Sequence, residues 1–132
     1  MALKKQLSVM VVNEIGEGAK LCGILKEAGI NIEAISVWEY TEGSVVRMVV
    51  NDDKKAARVL REKGYGVLVR VVLSLVLDDA PGALGEVMGR LAKNSCNINY
   101  CYGTVAQGVG KAVLILAVDD PVRADLLFSG KN

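Results

Sequence analysis

The chain repeats itself. Displaced by 66 positions, Leu7 falls on Leu73, Ser8 on Ser74, Gly16 on Gly82, Gly23 on Gly89, Leu25 on Leu91, and Asn31-Ile32 on Asn97-Ile98. From Gly43 onward the displacement reads as 67: Gly43 on Gly110, Val46 on Val113, Asp52-Asp53 on Asp119-Asp120, Ala57 on Ala124 and Leu60 on Leu127. Matches kept in this order mark two copies of one unit. One residue is then added in the second copy between Ile32 and Gly43, where a hairpin tolerates it. The 132 residues therefore read as two small domains, 1–69 and 70–132, and not as one medium domain.

Periodicity parses each copy. Leu7, Val9 and Val11 alternate with Gln6, Ser8 and Met10, as a strand does, and Val71, Leu73, Leu75 and Leu77 repeat that phase. A glycine-containing loop follows, then a helix. Leu84, Val87, Met88, Leu91 and Ala92 share one helical face, as Leu21, Ile24, Leu25 and Ala28 do less cleanly, with Gly29 as the stop. Residues 31–40 and 44–50 read as a hairpin about Thr41-Glu42-Gly43. Residues 97–105 and 111–118 read as its counterpart, turning at Gln107-Gly108-Val109-Gly110. Asp52 or Asp53 caps a second helix over 54–63. Asp119 or Asp120 does so in the second copy, with Pro121 in the first turn. Residues 65–70 close the first copy.

Each unit is thus β-α-β-β-α-β, the ferredoxin-like arrangement of the α+β class, an antiparallel sheet with helices on one face. The second copy lacks a counterpart of strand 65–70 after Leu127-Phe128, so its last strand is expected to be missing and the exposed edge to be covered, for example by a second chain. The uncovered sheet face carries Met10, Val12, Val72 and Val76, which calls for the sister repeat or another chain against it.

Composition narrows the chemistry. Sixteen Lys+Arg against fifteen Asp+Glu leave a net charge of +1, too balanced for holding nucleic acid through its phosphates. The chain has no histidine, which removes Ser-His and Cys-His nucleophile pairs and histidine metal ligands. Cys22, Cys96 and Cys101 suit neither zinc nor a disulfide framework and read as small buried apolar residues, which points to a reducing cytoplasm. No apolar run approaches the roughly 20 residues that span a bilayer, and the N-terminus lacks the apolar stretch of a signal peptide.

Fold alone does not give function, so the loops discriminate. Neither first loop, 13–17 or 79–83, carries the cysteine pair of a copper metallochaperone or the arginine of an acylphosphatase. Strand Val45-Val46-Arg47-Met48-Val49 lacks the aromatic set of an RNA-recognition domain. What matches is Asp79-Ala80-Pro81-Gly82-Ala83-Leu84, which resembles the first turn of the ACT domain, the small-molecule-binding regulatory module of amino-acid metabolism. Asn97-Ile98 resembles the Asn-Ile that opens that family's second strand, and Gly29-Ile30-Asn31-Ile32 is closer still. The resemblance covers nearly the whole chain, twice. It is nearest to small stand-alone bacterial proteins made of two ACT domains. It implies a non-catalytic regulatory protein that binds an amino acid between two domains and needs no cofactor.

The expected site follows from loop chemistry. The loop from Asp79 to Leu84 enters a helix N-terminus, whose free N–H groups and dipole favour a carboxylate. Gly82 permits close backbone approach and Pro81 presets the turn. Asp79 can accept hydrogen bonds from an α-ammonium group, so one loop can recognise a zwitterion. Asn97 and Asn31 offer donors and acceptors at the strand starts, or else cap the loop backbone. The candidate ligand-binding residues are Asp79, Ala80, Pro81, Gly82, Ala83, Leu84, Asn97 and Ile98, joined from the first copy by Asn31, Ile32, Asn13 and Gly16. The first copy departs from the pattern: Ile15 replaces Pro81, Asn13 replaces Asp79, Gly18 replaces Leu84, and Glu14 and Glu17 would repel a carboxylate. The second-copy loop is therefore the main candidate.

Three further features admit two readings each. Ala19 and Gly23, like Gly85 and Gly89, form a small-residue helical stripe, for packing against another repeat or chain, or against the sheet. Trp38, Tyr40, Tyr100 and Tyr102 either line a pocket or fill a core between repeats. Lys54, Lys55, Arg58, Arg61 and Lys63 form a basic helix face that reads as solvated surface. The whole points to a cytoplasmic amino-acid sensor, a homodimer acting on a metabolic enzyme or regulator, without nucleic acid or membrane partners. The alternative is a regulatory subunit that modulates an enzyme through protein contacts with no ligand of its own.

Overall fold

The structure, a computed structural model, describes residues 3–105 and 110–129. Chain order is β1 (Leu3–Val11), α1 (Glu17–Glu27), β2 (Ile32–Tyr40), β3 (Gly43–Val50), α2 (Asp53–Glu62), β4 (Gly66–Asp78), α3 (Ala83–Lys93), β5 (Ile98–Val105), β6 (Lys111–Val118) and α4 (Pro121–Ser129). Two compact units result. One is Lys5–Arg70; the other is Val71–Asn132 together with Met1–Lys4. Both divisions fall inside strands, β1 and β4.

In the first unit the strand order is β2-β3-β1-β4. Leu7 pairs with Met48 and Val9 with Val46 across antiparallel β1 and β3. Alternation sends these four side chains to one face. There they meet Leu21 and Leu25 of α1 and Ala56, Ala57 and Leu60 of α2 in one buried cluster. In the second unit β6 lies between β4 and β5. Leu73 pairs with Leu116 and Leu75 with Leu114, and these pack with Val87 and Leu91 of α3 and Ala124 of α4. Both units show the β-α-β-β-α pattern, and each has a register shift at the start of its second strand, between Ile32 and Ala34 and between Ile98 and Tyr100.

The other neighbour of β4 is β1. Leu3 packs on the second unit's core, and Met1–Lys4 groups with that unit. Leu3 and Lys4 of β1 thus stand where a closing strand is expected.

The repeat also needs correcting. From β3 onward the structural displacement is 68, not 67. Val46, Met48 and Val50 in one core correspond to Leu114, Leu116 and Val118 in the other. Asp52 accepts a hydrogen bond from the Lys55 amide at 3.1 Å, and Asp120, not Asp119, does the same for Arg123 at 3.1 Å. Side chains alternate along a strand, so a displacement of 67 would send the match for Val46 to the opposite face. Two residues have been added, not one. The expected turn at Gln107-Gly108-Val109-Gly110 lies outside the described residues, except for Gly110.

Other expectations meet mixed outcomes. Of the apolar set on the uncovered face, Met10, Val12 and Val76 are exposed, whereas Val72 is fully buried. Cys96 is buried, but Cys22 is exposed. Trp38 and Tyr40 are about half exposed and fill no core; Trp38 Nε1 instead donates to Ser36 Oγ at 2.7 Å. A Cβ added at Gly23, Gly85 or Gly89 would meet nothing within 4 Å, so the small-residue stripe is not a tight contact with the sheet. Among the described residues, no helix is long and apolar enough to cross a membrane.

Candidate functional site

The two strand-to-helix loops have the same backbone. Gly16 (φ 90°, ψ −6°) and Gly82 (φ 88°, ψ −11°) are the N-caps of α1 and α3, both left-handed. Side chains with a Cβ pay for that conformation, which explains glycine at both positions. Hydrogen bonds repeat in step. Glu14 N–H reaches the Val12 carbonyl at 3.0 Å and Ala80 N–H reaches that of Asp78 at 3.0 Å. Lys20 to Gly16 and Glu86 to Gly82, both 3.0 Å, then start the helices. A glycine cap offers no side-chain acceptor, and neither helix has a side-chain cap bond. The first helical amides, of Glu17 and Ala83, bond the Glu14 and Ala80 carbonyls at 3.3 and 3.2 Å, so it is the following first-turn N–H groups that face solvent or a ligand.

At the α3 entrance lies a pocket of about 410 Å³. Asp79, Ala80, Ala83 and Leu84 line one side, and Cys101, Tyr102, Gly103 and Thr104 of β5 line another. The β6 residues Val113 and Leu114 add apolar wall. The Asp79 amide is tied to the Gly110 carbonyl at 3.0 Å, which anchors the loop to the start of β6. Beside it, Lys111 Nζ bonds Asp78 Oδ1 at 2.6 Å. That hydrogen bond, helped by the lysine's charge, holds the Asp78 carboxyl below the ordinary aspartate value. With Asp78 engaged by Lys111, Asp79 is the pocket's other carboxylate.

Of the residues expected at this site, Asp79, Ala80, Ala83 and Leu84 come together around one pocket. Pro81 and Gly82 shape the loop without lining it. Asn97 and Ile98 do not line it either. The Asn97 amide bonds Asp119 Oδ1 at 3.1 Å, and the Asp119 amide returns to the Asn97 carbonyl at 3.1 Å. Asn31 makes the same exchange with Asn51, at 3.0 and 3.2 Å. These asparagines thus fasten a strand start to the end of the neighbouring strand. Asn31, Ile32, Asn13 and Gly16 belong to the first unit, where Asn13 Nδ2 donates to Glu39 Oε2 at 3.1 Å. Sequence reasoning missed the β5 wall around Cys101 and Gly103. Tyr102, at alternating spacing from Tyr100, was the one available signal for it.

Two βαββα units with matching glycine-capped helix entrances define a tandem ferredoxin-like module with a pocket beside its second strand-to-helix loop. The chain belongs to the ACT domain pair family, whose model matches residues 1–130. Among solved structures it is similar to a Bacteroides thetaiotaomicron protein, with a TM-score of 0.90 and 23% identity over 98% of this chain and 88% of that one. It is also similar to the regulatory subunit of aspartate kinase from Thermus thermophilus in its ligand-free form (TM-score 0.69, 18% identity, 94% and 89% covered). The corresponding subunit from Thermus flavus gives a TM-score of 0.61 at 16% identity, with 86% and 82% covered. At these identities the likeness is one of fold.

Proposed function

We propose that the protein is a non-catalytic sensor which binds a free amino acid at the α3 entrance and passes the occupancy to a protein partner in amino-acid metabolism. The observation that carries this reading is the pocket of about 410 Å³ joining an uncapped helix N-terminus to a carboxylate. The first-turn amides of α3 that follow Ala83, whose own N–H bonds the Ala80 carbonyl at 3.2 Å, receive the ligand carboxylate. Asp79 receives the α-ammonium group. Leu84, Tyr102, Val113 and Leu114 surround the side chain. Binding shifts the population between two packings of the chain, most simply within a homodimer, and the partner reads that shift. The regulatory-subunit neighbours support a protein partner of this kind.

A thermal-shift screen of the purified chain against the common amino acids tests it. Ligand at 100 times its dissociation constant adds about 2.7 kcal/mol, which raises the melting temperature by about 4 °C or more for a domain this small. A flat response to every amino acid overturns the sensor reading and leaves a regulatory subunit that works through protein contacts alone.

A further inference from the structure

The repeat allows the α3-entrance pocket to be compared with the equivalent place in the first unit. Strand register fixes the matches. Leu77 pairs with Ala112 and Gly103 with Leu114, as Val11 pairs with Ser44 and Val37 with Val46. Cys101, opposite Leu116, likewise matches Ile35, opposite Met48. Alternation puts Leu77, Cys101, Gly103, Ala112 and Leu114 on one face of the sheet, and all five line the pocket. Asp78 and Thr104 hold the alternate positions on their strands, away from this face.

The differences between the two places run in one direction. On the second strand of each unit, Ile35 gives way to Cys101 and Val37 to Gly103, which removes bulk. Ser44 gives way to Ala112, which removes a hydroxyl. Glu17, in the first turn of α1, gives way to Ala83 in that of α3, which removes a carboxylate. Gly18 gives way to Leu84, which adds apolar surface. Gly103 also preserves the wall behind it: a Cβ there would stand 3.0 Å from the Val113 carbonyl oxygen and 3.3 Å from Leu114 Cδ1. The β5 wall thus recedes while the lining loses polar groups. Two carboxylates remain, Asp78 bonded to Lys111 at 2.6 Å and Asp79 on the loop. No lysine or arginine is among the described lining residues.

We infer that the amino acid bound here has an uncharged apolar side chain, of the leucine, isoleucine, valine or methionine kind, and that Cys101 and Gly103 make the room for it. This rests on the sensor reading and deepens it by naming the ligand class. With Asp79 taking the α-ammonium group, an acidic side chain would meet carboxylates and no lining cation. A basic or amide side chain would give up water against Leu77, Ala112 and Leu114 without gaining a partner. An apolar side chain gains from the same burial.

Calorimetric titration of the full chain with near-isosteric amino acids tests it: leucine against asparagine and aspartate, valine against threonine, and methionine against glutamine and glutamate. The apolar member is expected to bind about tenfold tighter or more. Equal or tighter binding of the polar members overturns the inference and leaves the sensor reading standing. No binding of any amino acid overturns both. Cys101→Ile, which copies the first unit, is expected to weaken leucine more than alanine; an equal loss for both, or none, overturns the role given to β5. A second readout does not depend on how that variant folds. In Cys22→Ser, which removes the exposed thiol and leaves Cys96 buried, leucine slows modification of Cys101 by iodoacetamide and asparagine at the same concentration does not. Modification that saturating leucine leaves unslowed places the ligand elsewhere and overturns the inference too. Tyr102 brings a hydroxyl as well as a ring to the lining. Tyr102→Phe is expected to keep the order within each pair, and a reversed order would overturn the inference by making that hydroxyl the selective group.

Discussion

Asp125 of α4 holds the place that Ala57 holds in α2. Both are buried, Asp125 at 9% exposure and Ala57 at 5%, and among the described residues Asp125 Oδ1 has no hydrogen-bond partner. An unsatisfied buried oxygen costs about 1–3 kcal/mol, and Ala57 shows that a methyl group suits the position. Asp125→Ala is therefore expected to stabilise the chain by about 1 kcal/mol or more, read as a higher denaturation midpoint at unchanged slope. A lower midpoint would mean that the carboxylate has a structural role.

Glycines at different backbone positions should respond in opposite senses. Gly82 caps α3 at φ 88° with open space around it, so Gly82→Ala costs about 1 kcal/mol in backbone strain alone. Gly89 lies within α3, also facing open space, so Gly89→Ala is expected to stabilise by about 1 kcal/mol. Paired urea titrations of the two variants check both signs. Stability lost on Gly89→Ala would revive the close-packing reading of the small-residue stripe.

The Asn97–Asp119 exchange predicts a chemical preference. Asp119→Asn copies the first unit's Asn51 and keeps an acceptor for the Asn97 amide, so little stability is lost. Asp119→Ala removes the acceptor and costs about 1 kcal/mol. Amide hydrogen exchange at Asn97 separates the two: it is faster in the alanine variant and near parental in the asparagine variant.

Asp78 and Lys111 set a pH dependence at the pocket rim. The folded chain holds the Asp78 carboxyl below its ordinary value. Its stabilising effect is thus present above the unfolded aspartate pKa of about 4 and is lost as pH falls through the lower folded value. Both side chains are well exposed, so the effect is screened by salt. Lys111→Met is expected to return Asp78 toward the ordinary range in a carboxyl NMR titration. An unmoved titration would show that the ion pair does not form in solution.

At the proposed ligand site, Asp79→Ala is expected to abolish any amino-acid-induced rise in melting temperature while leaving the unliganded chain's fold intact, because Asp79 is exposed and its backbone amide keeps the Gly110 bond. A rise that survives the substitution moves the ammonium contact elsewhere.

Much of this molecule is legible without coordinates. Leu7 and Val9 on one strand face, Leu21 and Leu25 on one helix face, and their echoes at Leu73, Leu75, Val87 and Leu91 specify two β-α-β-β-α units, because burial imposes the 2.0 and 3.6 periods directly on sequence. The loop from Asp79 to Leu84 was legible for a similar reason: glycine is required where φ is positive, and it recurs at Gly16 and Gly82.

The second half of the repeat was not fully legible. Gly43 can be matched to Gly110 and Asp52-Asp53 to Asp119-Asp120 by identity, yet the core matches Val46 to Leu114 and Asp52 to Asp120. Short identities tolerate a one-residue slip; a strand with one buried face does not.

Tertiary structure alone decided where non-local pieces meet. Sequence determined the units, their core faces and the glycine-capped loops, all of which depend on local periodicity and backbone stereochemistry. It carried no signal that Leu3 would join the core of Leu73 and Leu116, or that Cys101 and Gly103 would wall the pocket of Asp79. Those relationships depend on strand pairing and helix packing between residues far apart in the chain, and local pattern leaves both undetermined.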